Sequence, residues 1–451
     1  MPPAAAIPHH PPPLLARLPE LLQFAALAAR AGDHTPVQWL HLADAPAPGR
    51  TGQPSAATAH PCANAAHAAD AASLPVHALC LGNPDPAVPA LALVGGVHGL
   101  ERVGSQVVLA WLERFVARLA QGDAATHGLL DRLRLVVMPL VNPVGLALGT
   151  RSNGRGVDLM RNAPVQAATG ALPLVGGHRL GRWLPWYRGT AQAALEPEAE
   201  ALCRLVREQL LPHRLALALD CHSGFGRVDR LWFPWAHRHE PAPHLAEFHA
   251  LGQALVQRGA AAHPAPAEAQ DARPRHRRRG GWHVEPQNLR YLAHGDLWDH
   301  LYRESLAAPA PGPEPLVRST LLPLTLEIGS WRWGLRAPRQ LLRAAGLFNP
   351  PAARLPGVLR RHAAGIEQLV QLAAAPAQWQ PQAGARDHHH AEALSRWYGS
   401  GMPDRRLPSA ALPAPSASSA SSALSATCAA PAPSTPPLAG APATRLPRAR
   451  A

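Results

Sequence analysis

Lysine is absent from the sequence, and all 43 basic side chains are arginine. A skew this complete reads as compositional bias, not as a functional feature. Cysteine is scarce: Cys62, Cys80, Cys203, Cys221 and Cys428 are scattered, odd in number and without a Cys-x-x-Cys spacing. That pattern excludes a disulfide framework and a thiolate zinc site. No run approaches the roughly 18 consecutive apolar residues that a membrane-spanning helix needs. The opening stretch, MPPAAAIPHHPPPLLARLPE, lacks the basic start and the continuous apolar core of a secretory signal. The expectation is a soluble protein of the cytoplasm, with no membrane partner.

Acidic residues are fewer than basic ones, 30 against 43, for a formal net charge of +13. Such a surplus can mark binding to nucleic acid or to an anionic membrane. Much of it is local here: Arg273 to Arg279 reads RPRHRRR, and the C-terminal tail adds more. No aromatic side chain interleaves with that run, although Trp282 follows it, so the stacking partners of a single-strand binder are missing. The run reads as a solvated loop, and no specific nucleic-acid partner is expected.

Three regions are expected. Residues 1–74 hold an N-terminal helix (LLARLPELLQFAALAARAG), a short strand and a Pro/Ala/His-rich loop. From 75 to 375, apolar runs of strand length (PVHALCLG, PALALVGGVHG, LRLVVMPLVNP, RLALALDCHSG, LLPLTLEIGSW) alternate with helical stretches. This alternation predicts an α/β fold with a central sheet and helices on both faces. Insertions are read near 168–189 and 261–281. The Ala/Pro/Ser-rich segment 376–451, nearly devoid of aromatics after Tyr398, is expected to be disordered.

In open α/β sheets ligands bind beyond the carboxyl ends of the strands. Those ends carry His98 and Glu101 after LALVGGV, His222 after LALALDC and Glu327 within LTLEIG. Two imidazoles and one carboxylate make a zinc set that leaves the fourth position open for water. A further carboxylate, Glu327, suits proton transfer from water to a leaving nitrogen. His-x-x-Glu alone is a weak signal. It recurs at His237/Glu240, His244/Glu247 and His389/Glu392, in polar or His-rich contexts that end no apolar strand, and those copies read as chance.

In their order along the chain, HGLE, NPVG, TRSN, GVDLMRN, DCHSG and TLEIG resemble the zinc carboxypeptidase (metallocarboxypeptidase) family, in a divergent bacterial-type form. The resemblance spans about residues 75 to 345 and implies a zinc-carboxypeptidase-like (phosphorylase/hydrolase-like) mixed sheet with one Zn²⁺ per chain. It implies that His98, Glu101 and His222 bind the metal, that Glu327 is the general base, and that Arg151 stabilises the oxyanion. Asp158 matches the residue that orients the first zinc histidine; a loop cap is the other reading of it. Arg161 matches the arginine that pairs with a substrate's terminal carboxylate. Tyr291 is the candidate for the family's active-site tyrosine, with a packed aromatic on a helix as its alternative.

One position departs from the family pattern: Met160 stands where an asparagine is expected before Arg161, and a thioether cannot replace an amide donor. The leading expectation is therefore a zinc amide hydrolase cleaving a C-terminal peptide bond. A deacylase of N-acyl amino acids, or a cell-wall-type amidase, on the same fold is the alternative. An inactive module binding through its Arg-rich loop is the remote one.

Overall fold

A computed structural model describes residues 14–48, 73–262, 281–307, 319–334 and 346–399. In chain order its first half holds α1 (Pro19–Gly32), β1 (Val37–Pro46), β2 (Ser73–Gly82), β3 (Ala90–Gly95), α2 (Arg102–Ala120), α3 (Ala124–Leu130), β4 (Arg134–Met138) and α4 (Pro143–Leu148). Then come α5 (Pro197–Gln209), β5 (Leu215–Ser223), β6 (Arg230–Phe233), α6 (Leu245–Ala262), β7 (His283–Pro286) and α7 (Leu297–Ala307). The last elements are β8 (Thr320–Ile328), α8 (Trp331–Gly334), α9 (Leu355–Ala373) and α10 (Ala383–Trp397).

The strands form one sheet in the order β1-β2-β4-β3-β5-β8-β6-β7. Its centre is parallel, β4-β3-β5-β8, and antiparallel pairs join β2 to both β1 and β4, and β6 to β8. Strands β3, β4 and β5 are buried at every position, which is why they read as unbroken apolar runs and not as alternating ones. Helices cover both faces, as expected for α/β layering. Two registers matter for the site: Gly95 of β3 lies opposite Cys221 of β5, and His222 lies opposite Glu327 of β8.

Two expected boundaries change. The N-terminal segment is part of the fold: β1 is the edge strand of the sheet along β2, and Leu18, Phe24 and Leu27 of the α1 region are buried in the common core. The segment expected to be disordered from 376 onward is folded as far as 399, because α10 packs on α6. The scarcity of aromatics hid this, since Trp397 alone meets Phe233 at 5.0 Å between ring centres. Residues 400–451, and the arginine run 273–279, lie outside the described residues. Among the described residues no helix is long and apolar enough to cross a membrane.

Candidate active site and metal centre

Strand β3 ends at two glycines, and the turn that follows brings His98 and Glu101 to the mouth of the sheet. Gly96 there has φ +69°, a left-handed conformation that a side chain would strain. The NPVG motif supports this turn. Asn142 caps α4 by accepting from the Gly145 amide at 2.8 Å, and its own amide donates to the Val97 carbonyl at 3.2 Å. Glu101 precedes the first residue of α2, and that helix lies against β5 through Gly104.

The expected residues converge. His98, Glu101 and His222 are each buried, with ligand-capable atoms all within 4.8 Å of one another. Glu101 Oε2 lies 3.3 Å from His222 Nδ1 and accepts from the Ser223 amide at 2.8 Å. Asp220, two residues before His222 on the same strand face, meets His222 Nε2 at 2.7 Å. Trp298 of α7 donates to that same Asp220 oxygen at 2.9 Å. No spacing in the sequence links α7 to β5, so this indole escaped the sequence reading. Cys221 points away, buried in the core.

Arg151 ties the set together, with donations to Asp158 Oδ2 at 2.8 Å, His98 Nε2 at 2.8 Å and Glu101 Oε1 at 3.4 Å. His98 Nδ1 lies 3.5 Å from Asp158 Oδ1. Asp158 also accepts from the Met160 amide at 3.1 Å, the geometry of a loop cap.

The electrostatics divide the two imidazoles. Burial, then the positive Arg151, holds His98 well below the usual histidine range. Burial also opposes a charge on His222, but the carboxylates of Asp220 and Glu101 at its two ring nitrogens outweigh it and raise its pKa. Glu327 is 9% exposed; burial first, then the neighbouring Glu101, pushes its pKa up to about 8. Its Oε2 is a buried atom without a hydrogen-bond partner, as is His98 Nδ1. Buried polar atoms are rarely left unpaired. Two such orphans beside two imidazoles and a carboxylate fit a site built for a cation of the zinc class.

Arg161 sits beyond this cluster, 2% exposed. It donates to the Met160 carbonyl at 3.2 Å, to the Val175 carbonyl at 3.4 Å and to the Tyr291 hydroxyl at 3.4 Å. Tyr291 lies in the loop after a short 3-10 turn (Gln287–Leu289), not on a helix, and its ring faces Phe225 and Trp232. Segment 168–189, expected as an insertion, wraps this arginine: Arg188 donates to the Arg161 carbonyl at 3.1 Å. The thioether of Met160 belongs to the hydrophobic core.

Residues 71–293 match the model of the zinc carboxypeptidase family. The chain carries a zinc carboxypeptidase domain. The match ends before Glu327, which β8 supplies beside His222. Carboxypeptidase SOL1 of Arabidopsis thaliana is 34% identical over 80 residues, 18% of this chain and 16% of that protein. The similarity thus spans about a sixth of that relative's length. The zinc carboxypeptidase fold extends further than the sequence similarity. Bovine thrombin-activatable fibrinolysis inhibitor, solved with tick carboxypeptidase inhibitor, superposes at a TM-score of 0.52 and 14% identity, over 79% of this chain and 97% of that one. Carboxypeptidase A of Helicoverpa armigera superposes at 0.51 and 16%, over 79% and 73%.

Proposed function

We propose that the domain is a zinc-dependent amide hydrolase that releases the C-terminal residue of a peptide. The observation that carries this reading is the meeting of His98, Glu101 and His222 with Glu327 on adjacent strand ends. In this reading those three residues hold the ion. Zinc bound there supplies a Lewis acid for the scissile carbonyl and lowers the pKa of water.

The remaining work falls to the chain's own groups. Glu327 takes a proton from the attacking water and delivers it to the leaving nitrogen; its elevated pKa puts both steps within reach near neutral pH. Arg151 is exposed enough to turn one N–H toward an oxyanion that develops on the carbonyl, and its charge is permanent. Asp158 holds Arg151 and faces His98, fixing both. Arg161 takes the substrate's terminal carboxylate. Three of its five donors are engaged, all at 3.2–3.4 Å, which leaves capacity for a charge-assisted pair.

Met160 favours a second reading, an N-acyl amino acid deacylase or cell-wall-type amidase. With its thioether in the core, no side-chain amide assists Arg161 in gripping a carboxylate. One panel separates the two: peptides with a free C-terminus, the same peptides amidated, and N-acyl amino acids. The carboxypeptidase reading expects free-ended peptides to be cleaved, amidated ones to be spared, and Glu327→Gln to lose about a thousandfold in rate with zinc content unchanged. Cleavage of N-acyl amino acids alone moves the assignment to the second reading. Protein that takes up no zinc and cleaves nothing overturns both.

A further inference from the structure

We propose that α6 and α10 together hold a second divalent transition-metal ion of the zinc class, through His249, His389 and Glu392, and that this ion fastens the C-terminal helix to the domain. His249 comes from α6 and is 3% exposed, while His389 and Glu392, three apart on one face of α10, arrive opposite it. Their ligand-capable atoms all lie within 4.8 Å of one another. His249 Nδ1 is 3.0 Å from His389 Nδ1 and 3.9 Å from Glu392 Oε2. A tetrahedral ion with zinc–nitrogen bonds of about 2.0–2.1 Å sets its ligands about 3.3 Å apart. The two separations bracket that value, so sub-ångström shifts close the site.

The surroundings fit the role. Gln253, one turn further along α6, brings its amide nitrogen 3.4 Å from His249 Nε2 and 3.3 Å from Glu392 Oε2, steadying both. A cleft of about 240 Å³ lined by His249, Gln253, Trp282, Arg396 and Trp397 gives an ion a path from solvent. His388, on the same helix, lies 3.5 Å from the other Glu392 oxygen and adds a further imidazole to the rim.

The need for a fastener is visible in α10 itself. Ala393 is its one buried residue, and its other ties to α6 include the Arg386–Glu247 pair at 2.7 Å and the edge contact of Trp397 with His249. Two imidazoles facing each other at 3.0 Å share a single hydrogen bond when bare. A bound ion replaces that one bond with three ligand bonds across the helix pair. The same His-x-x-Glu spacing that read as chance at 389–392 thus gains its third ligand from a helix about 140 residues earlier.

Zinc titration of the full chain in competition with a chromophoric chelator tests this without reference to hydrolysis. The His98→Ala/His222→Ala double variant should still bind one zinc per chain, and adding His389→Ala should abolish it. Limited proteolysis gives an independent readout: zinc should protect the double variant from cleavage between α9 and α10 at least tenfold, and the triple variant not at all. If the double variant does not fold, Glu392→Gln and His389→Ala in the otherwise native chain should each lower zinc from two equivalents to one. Binding of no zinc by a folded double variant, or equal binding after His389→Ala, overturns the proposal. Loss at the His98/His222 site alone bears only on the hydrolase reading.

Discussion

Gly104 sets how closely the two halves of the candidate metal site approach, and Gly104→Ala should therefore damage zinc binding from a residue with no side chain in the site. Its α-carbon sits on the first turn of α2, three residues after Glu101, directly over the end of β5. A Cβ built there falls 2.9 Å from the Cys221 carbonyl carbon and closer still to its oxygen. Carbon pairs need roughly 3.5 Å or more, so α2 and β5 must part by at least about 0.6 Å, and by about 1 Å once the oxygen is cleared. Both obstructing atoms are backbone, and neither can rotate away. The parting acts directly on the 3.3 Å spacing between Glu101 Oε2 and His222 Nδ1. Metal sites tolerate about 0.2 Å in ligand distance. Gly104→Ala should thus weaken zinc binding at least about a hundredfold in a chelator competition and cost about 1–3 kcal/mol in urea unfolding of the apo-protein. Gly128→Ala in α3, where the added methyl meets nothing within 4 Å, is the control and should gain up to about 1 kcal/mol with zinc affinity unchanged. A folded Gly104→Ala protein with native zinc affinity would refute the claim that this helix–strand contact fixes the ligand spacing.

Three further outcomes follow from the same geometry. Glu198 is fully buried, with burial pushing its pKa from 4.5 up to about 7; a raised carboxyl favours folding below pH 4.5 and loses that advantage as pH rises through 7, so Glu198→Gln should leave urea stability at pH 4.5 unchanged and raise it at pH 8 by up to about 3 kcal/mol. Asp158→Asn removes the negative charge that pairs with Arg151 and faces His98, and should lower zinc affinity about 10–100-fold in the same competition assay. Arg161→Gln should raise KM for a free-ended peptide at least tenfold with zinc content unchanged, and a native KM would remove Arg161 from carboxylate recognition.

The candidate site was readable because its residues sit at the ends of apolar runs, where strand direction helps decide which side chains share a site. His98, Glu101, His222 and Glu327 came from the rule that parallel sheets present ligands at their carboxyl ends, together with the ordered motifs from HGLE to TLEIG. Asp220 shares the strand face of His222 by the alternation of β5 and meets its ring. What stayed hidden were contacts between elements with no periodic relation to one another. Trp298 reaches Asp220 from a helix 78 residues later, and the 389–392 pair finds His249 across 140 residues. The tail boundary failed for a related reason. Composition averaged over 376–451 is that of a disordered chain, yet a single helix of Ala, His and Leu with one tryptophan suffices to dock when α6 offers it a matching face.

The Met160 departure can be judged on the same terms. What the thioether removes is a side-chain amide, yet the backbone at that position still serves both partners: its amide donates to Asp158 and its carbonyl accepts from Arg161. The turn that places Arg151, Asp158 and Arg161 therefore does not depend on the side chain at 160, which is free to fill the core. Arg161 is instead held from the far side, by the Val175 carbonyl and by Arg188 packed against its own carbonyl, both from segment 168–189. Arg161 is thus supported by segment 168–189 and not by a side-chain amide at position 160. Substrate discrimination should follow that loop: exchanging residues in 168–189 should alter which amides are cleaved, while zinc affinity, fixed by β3, α2 and β5, stays as it is.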